Sequence, residues 1–196
     1  MIRELHFPTP IYIFDHNDPS LNIQLEKDIL NWMNKDRGLS KTNIKGWHSP
    51  TDMNRRPEYQ RLVKGLFEAQ FKIYEEEHLD SEPYLGGMWA NVNPPGGMNR
   101  AHMHPNSLWS GVYYIKAPKN CGLLRIDDPR TTAAMSRPVM KDDNFPSRLN
   151  REISYEPKAG RCIMFPSWVT HCVDPNESDD LRISVSFNFL QKILMV

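Results

Sequence analysis

The stretch "LRISVSFNFL", from Leu181 to Leu190, predicts the fold of this 196-residue chain more directly than any other segment. Side chains of a β-strand point alternately to its two faces. Apolar and polar residues alternate throughout, with Leu181, Ile183, Val185, Phe187 and Phe189 on one face and Arg182, Ser184, Ser186 and Asn188 on the other. A polar face usually meets solvent, but in a jelly roll it can line a ligand cavity. We therefore expect a strand with one face in a core and the other in water or in a cavity.

Similar short runs surround this strand and are separated by turns rich in Pro and Gly. In one of them, Asn91 and Asn93 share a face with Trp89. The other predicted strands after Ser81 are LGGMWANVN (85–93), LWSGVYYI (108–115), GLLRID (122–127), EISYEP (152–157), RCIMFPS (161–167) and VTHCV (169–173). Several short strands after a helical start predict an α+β, mainly β fold, with helices packed on an antiparallel double-sheet or jelly-roll core.

The first 80 residues are expected to support that core. The segment "FPTPIYIFD" (7–15) predicts a short strand. A helix is predicted over 18–38, capped by Asp18 or Ser20 and ended by Gly38, and a second over 56–77 with Pro57 near its start. The apolar stripes are Leu21, Ile23, Leu25, Ile29, Leu30 and Met33 in the first helix, and Val63, Leu66, Phe67, Phe71 and Tyr74 in the second.

Length, charge and cysteine content narrow the class of protein. A chain of 196 residues predicts a single domain over 1–196, with 1–80 as the support and 81–196 as the β core. The formal net charge is zero and no run is rich in Lys or Arg, so no nucleic-acid or membrane surface is evident. Three cysteines without Cys-x-x-Cys spacing, and an N-terminus unlike a signal peptide, favour a cytoplasmic protein. The sequence leaves both a monomer and a homodimer open.

A long polar stretch from Pro129 to Arg151 interrupts the predicted strands. Loops of this length in a compact domain are commonly functional. We expect this segment to be a surface loop that serves as a lid over a substrate.

Two histidines, His102 and His104, stand one residue apart shortly before a predicted strand. In an extended segment, residues i and i+2 point to the same side, so both imidazoles can meet one ion. The best third ligand is His171, on a strand-like run late in the chain. Imidazole suits Fe, Zn, Cu and Ni, so the ligand type does not name the metal. The remaining histidines are expected at the surface or as capping residues: His6, His16, His48 and His78.

Arg182 lies on the polar face of the predicted strand over 181–190, with Ser184 beside it. A guanidinium stays charged and binds a planar anion through two hydrogen bonds. Arg, Ser and a Tyr hydroxyl together make a good carboxylate cradle. The alternative is a surface ion pair of Arg182 with the adjacent Asp179 or Asp180.

Taken in order, these motifs resemble the iron(II)/2-oxoglutarate-dependent dioxygenases, and among them the prolyl-hydroxylase-like branch. The matching segments are VNPPGG (92–97), HMH (102–104), VYYI (112–115), CGLLRI (121–126), PKAGRCIMFPSWVTHCV (157–173) and RIS (182–184). The resemblance extends from Tyr84 to Leu190 and is strongest for bacterial and phage members with the pattern HxHPNSxxSGVYY. No single segment is specific, but six in the right order are.

The resemblance implies a double-stranded β-helix with flanking helices, and Fe(II) and 2-oxoglutarate as cofactor and co-substrate. Arg182 matches the residue that grips the remote carboxylate of 2-oxoglutarate, with a hydroxyl from Ser184 or Tyr114. Asn93 falls where the family places a side chain near this co-substrate. The implied activity converts 2-oxoglutarate and O2 to succinate and CO2 while oxidising a substrate, with hydroxylation of a protein or peptide residue favoured.

The resemblance also assigns metal ligands, with one departure from the family pattern. His102 matches the first metal histidine and His171 the distal one, but His104 stands where the family usually has Asp or Glu. His104 either ligates the iron, or leaves a position open, or yields to an acid elsewhere such as Asp127 or Asp128. We favour ligation, because the spacing of the two histidines already suits it and imidazole is a good iron ligand.

Two other functions remain open at this point. One is a three-histidine cupin-type dioxygenase that needs no 2-oxoglutarate, in which Arg182 clamps a carboxylate of the substrate itself. The other is a jelly-roll binding module without turnover. Dependence on 2-oxoglutarate separates the first hypothesis from both alternatives.

Overall fold

The computed structural model describes residues 1–4, 6–80, 82–136, 138–141 and 149–191. Its strands are β1 (Tyr12–Asp15), β2 (Asn43–Ile44), β3 (Trp47–His48), β4 (Pro83–Asn93), β5 (Met98–His102), β6 (Trp109–Lys116), β7 (Leu124–Asp127), β8 (Glu152–Tyr155), β9 (Arg161–Pro166), β10 (His171–Val173) and β11 (Arg182–Gln191). Two α-helices, α1 (Pro19–Met33) and α2 (Gln60–Glu76), precede the longer strands. The strands form a six-stranded sheet, β1-β9-β6-β11-β4-β3, and a five-stranded sheet, β2-β5-β10-β7-β8, both antiparallel between neighbours. The expected mainly β, double-sheet fold is confirmed.

Strand β11 lies in the middle of the larger sheet, between β4 and β6. The alternation that predicted it is also its burial pattern, because Ile183, Val185, Phe187 and Phe189 are fully buried in the main hydrophobic core. The polar face of the strand lines a cavity instead of meeting bulk solvent. One strand thus contributes to both the core and the candidate site.

The helices pack on the outer side of the larger sheet, where their residues join the same core. Helix α1 begins as expected, because the Asp18 carboxylate accepts a hydrogen bond from the backbone N–H of Leu21 at 3.1 Å. It ends at Met33 rather than at Gly38, and α2 begins at Gln60 after a 3-10 turn over Pro57–Tyr59. Ile23 and Phe71 were expected on the buried stripes but are 72% and 52% exposed. Ile23 lies two residues from both Leu21 and Leu25, which turns it to the opposite side of the helix.

Two short strands that the sequence did not reveal close one end of the sandwich. Strand β2 pairs with β5 in the smaller sheet, while β3 pairs with β4 in the larger one. The chain therefore crosses between the sheets at Lys45 and Gly46. A Cβ atom added to Gly46 would lie 2.9 Å from the Asn93 amide nitrogen, so the close approach at this corner favours glycine.

The proposed lid lies partly outside the described residues, which omit 137 and 142–148 of the stretch from Pro129 to Arg151. Within it, Thr131–Ser136 forms a 3-10 helix. The lid therefore stays a prediction. Among the described residues, no helix has the length and apolar character needed to cross a membrane.

Candidate metal centre

A cavity of about 360 Å³ lies between the two sheets and takes lining residues from both. His102, His104 and His171 reach it from the smaller sheet and the loop after β5, while Arg182 and Ser184 reach it from β11. The polar face predicted from the alternation is therefore the wall opposite the histidines.

The three predicted metal ligands meet at one point of this cavity. His102 and His171 are direct partners across the antiparallel β5–β10 pair, and His104 follows two residues after His102. One potential ligand atom from each of the three lies within 4.8 Å of the other two. Among the described residues, this is the sole group of three or more His, Cys, Asp or Glu side chains that could hold a metal ion.

Backbone carbonyls orient two of the imidazoles. Nδ1 of His102 lies 2.7 Å from the Arg100 carbonyl oxygen, and Nδ1 of His171 lies 3.0 Å from that of Val169. Because a carbonyl oxygen can only accept, Nδ1 carries the proton in each ring and Nε2 keeps its lone pair for a metal. The loop carrying His104 is held by its own backbone N–H, which donates to the Ser167 carbonyl at 3.0 Å.

Burial keeps the three rings uncharged at neutral pH. It lowers the pKa of His104 to about 4 and that of His171 to about 3, with a further lowering from the neighbouring histidines. Burial also lowers the pKa of His102. Neutral imidazole is the form that binds a metal, so the chemistry of this donor set fits an iron(II) ion.

Arg182 is a buried cation, with 1% of its surface exposed. Its Nη1 donates to the Cys121 carbonyl oxygen at 2.9 Å, and no carboxylate of the described chain forms a salt bridge with it. Asp180, an alternative partner at the surface, pairs with Lys116 at 3.0 Å. The alternative of a surface ion pair for Arg182 is therefore wrong. A buried charge without a counter-ion is unfavourable, so this guanidinium is suited to an anionic ligand.

Two hydroxyl groups lie in the same wall as Arg182. Ser184 and Tyr114 are direct partners in the β11–β6 pair, and both line the cavity. Burial raises the pKa of the Tyr114 hydroxyl, so this group stays protonated and able to donate. Asn93 does not line the cavity, and its amide nitrogen lies 3.5 Å from the Asn99 amide oxygen. Asn91, two residues earlier on the same face, lines it instead.

The acids considered as substitutes for His104 lie elsewhere. Asp127 and Asp128 line a second cavity, together with Ile153 and Tyr155 of β8. Asp128 is bound to Arg130, whose Nη2 donates to its carboxylate at 2.8 Å. Neither acid lines the cavity that holds the three histidines.

Sequence reasoning missed one histidine of the cavity. His48 was expected at the surface or as a cap, but it is 6% exposed and lines the cavity. Its ring stacks on Trp89 with the ring centroids 5.4 Å apart and 9° between the planes. A strand of two residues carries no periodic signal, so the sequence offered no means of finding His48.

Comparison with solved structures agrees with this architecture. A prolyl-4-hydroxylase from Pseudomonas putida is 17% identical, with a TM-score of 0.68 and 94% coverage of both chains. The epimerase SnoN from nogalamycin biosynthesis has a TM-score of 0.69 at 11% identity, covering 93% of this chain and 76% of its own. A prolyl hydroxylase from Trichoplax adhaerens has a TM-score of 0.66 at 13% identity, covering 93% and 84%. At such identities the likeness shows the fold, which in these oxygenases is the jelly roll.

The family is shown by the sequence itself. None of the curated proteins matches this chain significantly. Residues 87–188, more than half of the chain, match the model of the family described as "Putative 2OG-Fe(II) oxygenase". The chain therefore belongs to the 2OG-Fe(II) oxygenase family, whose cofactor is iron(II) and whose co-substrates are 2-oxoglutarate and O2.

Proposed function

We propose that this protein is a hydroxylase that converts 2-oxoglutarate and O2 to succinate and CO2 while it oxidises a residue of a protein or peptide. One observation carries the proposal: three uncharged histidines and a buried arginine without a carboxylate partner line the same cavity. The histidines suit a metal and the arginine suits an anion. Both are requirements of this chemistry.

His102, His104 and His171 are the proposed ligands of iron(II). Ligation by His104 gives three neutral ligands, because no acid lines the cavity among the described residues. A bound iron(II) ion would supply the activation of O2. The protein orients His102 and His171 through their Nδ1 hydrogen bonds, which directs the Nε2 atoms to the metal.

Arg182 is the proposed partner of the remote carboxylate of 2-oxoglutarate. Its guanidinium is withdrawn from water, so a bound carboxylate would meet a charge in a medium of low dielectric constant. Ser184 and Tyr114 would donate their hydroxyl protons to the same anion. These contacts orient the co-substrate and exclude water from its far end.

A peptide substrate is supported by the cavity rim and by one structural neighbour. Met103 lies between two of the histidines, lines the cavity and is 51% exposed. Trp168 is 54% exposed and follows Ser167, whose carbonyl holds the His104 loop. Apolar side chains exposed beside a site commonly contact a partner. The prolyl hydroxylase from Trichoplax adhaerens was solved with a peptide fragment of hypoxia inducible factor.

Anaerobic titration with iron(II), with and without 2-oxoglutarate, followed by a pulse of O2, tests the proposal. We expect a visible charge-transfer band that needs both components, then slow formation of succinate. His78→Asn changes an exposed histidine and should leave both signals intact. Iron binding without a response to 2-oxoglutarate would favour the cupin-type dioxygenase, and absence of iron binding would favour a binding module.

A cytoplasmic location is part of the proposal and is supported by the cysteines. Cys121, Cys162 and Cys172 are free thiols, and the first two are buried. Free thiols are the rule in a reducing compartment. Fractionation of cells that express the protein should recover it in the cytosolic fraction.

A further inference from the structure

The cavity has a second polar wall, which the proposed function does not use. His48 on β3 and Asn91 on β4 are direct partners across the antiparallel pair, and both line the cavity. Lys41, just before β2, also lines it. These residues lie at the corner where the chain crosses between the sheets.

His48 offers a hydrogen-bond acceptor to this part of the cavity. Its Nδ1 lies 2.6 Å from the Ser49 carbonyl oxygen, so Nδ1 carries the proton. Burial lowers the pKa of His48, which keeps the ring neutral and the lone pair on Nε2. Stacking on Trp89 fixes the plane of the ring. Nε2 is therefore the atom of His48 that is available to a ligand.

Asn91 offers a second acceptor. Its side chain is 6% exposed, and its Nδ2 donates to the Ser186 hydroxyl at 3.0 Å. Its Oδ1 is buried and has no hydrogen-bond partner in the described part of the chain. Buried acceptors without a partner are rare in folded proteins, so this oxygen calls for a donor from a bound molecule.

2-Oxoglutarate cannot supply that donor. Its ionised carboxylates and keto group contain acceptors alone, so neither Nε2 of His48 nor Oδ1 of Asn91 can hydrogen-bond to it. His48 and Asn91 are direct partners on adjacent strands and offer one acceptor each. A primary amide has two N–H groups, one for each acceptor. A hydroxyl has a single proton to give. An ammonium group would meet the positive charge of Lys41, which lines the same cavity.

We propose that His48 and Asn91 recognise a primary carboxamide of the substrate, as in the side chain of Asn or Gln. The inference rests on the proposed function, because it assumes that the substrate enters this cavity beside the metal. His48 and Asn91 are then specificity-determining residues, and Lys41 disfavours a cationic substrate group at the same place.

The test uses the whole protein loaded with Mn(II), a paramagnetic substitute for iron(II), and 2-oxoglutarate. Propionamide, propionate and propylammonium are added separately, and the paramagnetic broadening of their methyl protons is measured by NMR. We expect propionamide to be broadened at least fivefold more than either charged probe. Equal broadening of the three probes, or preference for a charged one, would overturn the inference.

Two variants of His48 and one control sharpen the measurement. His48→Phe keeps a flat ring against Trp89 but removes the acceptor, so the broadening of propionamide should fall at least fivefold. His48→Gln retains an acceptor and should therefore retain part of the propionamide broadening. If the Phe variant does not fold, the comparison of His48→Gln with wild type tests the inference instead. His16→Phe alters a histidine that packs on Tyr113 and does not line this cavity, and it should change nothing.

The protons of 2-oxoglutarate give an independent readout in the same samples. They should be broadened in the wild type and equally in His48→Phe. Broadening of propionamide without broadening of 2-oxoglutarate would overturn the proposed function and leave the amide site supported. Broadening of 2-oxoglutarate together with an unchanged propionamide signal in His48→Phe would overturn the amide site alone.

Discussion

Two arginines, Arg125 on the smaller sheet and Arg182 on the larger one, show how a cation is accommodated at the surface and in the interior. Arg125 on β7 is partly exposed, and its Nε donates to both Asp174 carboxylate oxygens at 2.8 Å. Its Nη1 also pairs with Glu152. Arg182 is fully buried, and the partner found for it among the described residues is one backbone carbonyl. An arginine paired with carboxylates of the same chain stabilises the fold, whereas a buried arginine without such partners is suited to binding an anionic ligand.

The largest expected effect is the loss of iron(II) binding when a histidine of the cavity is replaced, compared with replacement of an exposed histidine. His171→Ala removes a proposed metal ligand from the centre of the triad, so the variant should lose specific iron(II) binding and all succinate formation. Metal titration by calorimetry, followed by succinate quantification, measures both. His78→Asn, at an exposed position, should behave as wild type. Retained turnover in His171→Ala would remove His171 from the proposed ligand set.

The next largest effect is on the affinity for 2-oxoglutarate when Arg182 or Arg125 is replaced. Truncating one partner of a buried charge pair costs about 2–5 kcal/mol, so Arg182→Met should weaken 2-oxoglutarate binding by about 30-fold or more. Arg125→Met should change this affinity less than about twofold, because its ion pairs lie outside the cavity. Titration of the charge-transfer band with 2-oxoglutarate gives both values. Equal losses in the two variants would mean that global stability, not the carboxylate contact, controls binding.

A smaller effect is expected where the sequence departs from the family pattern. His104→Asp restores the usual acid and makes the metal site one charge unit less positive. The variant should bind the anionic 2-oxoglutarate about tenfold more weakly, or ~1.4 kcal/mol, and should hold iron at a lower reduction potential. Binding titrations and electrochemistry check the two changes. Unchanged values would show that His104 does not ligate the metal.

A further comparison concerns the stability of the metal-free protein as a function of pH. Burial lowers the pKa of His104 to about 4 and that of His171 to about 3, against about 6.5 in an unfolded chain. Between about pH 6.5 and pH 4 these histidines are protonated in the unfolded chain but largely neutral in the folded one. The free energy of unfolding should therefore fall as the pH drops through this range. Denaturant titrations at pH 7 and pH 5 measure the fall.

The ion pairs of the outer surface should respond in a lower pH range. Hydrogen bonds from Arg161 and Lys158 hold the pKa of Asp15 well below its usual value. This contribution is present above about pH 4, the ordinary pKa of Asp, and is lost as the pH falls further. His104→Gln should therefore reduce the loss of stability between pH 7 and pH 5, while Asp15→Asn should not.

Strand β11 shows how much of the structure a local sequence pattern predicts. The alternation over Leu181–Leu190 predicted both faces of β11, and the three separated histidines were predicted to meet from spacing and motif order. The helices and the Asp18 cap of α1 were predicted, but the end of α1 was expected at Gly38 and lies at Met33, because residues 34–37 contain no Gly or Pro that would mark an earlier end. Ile23 and Phe71 were placed on buried stripes by counting apolar residues, where the helical angle places them outside.

Residues of the cavity that come from irregular or very short elements were not predictable. His48 lies on a two-residue strand, and Lys41 lies on an irregular segment just before β2. Asn93 and Asn91 share a face, but Asn91 lines the cavity and Asn93 does not. Such choices depend on contacts between segments that are distant in the chain.

The sequence by itself determined the alternating strands, the mainly β class, the pair His102 and His104, and the family motifs around them. These features are local, because a β-strand repeats every two residues and a motif is read over a few positions. The tertiary structure alone decided that His102 lies opposite His171, that Arg182 is buried without a carboxylate, and that His48 lines the cavity. Strand register and burial decided these three features, and both arise from packing between segments rather than from the order of residues within one segment.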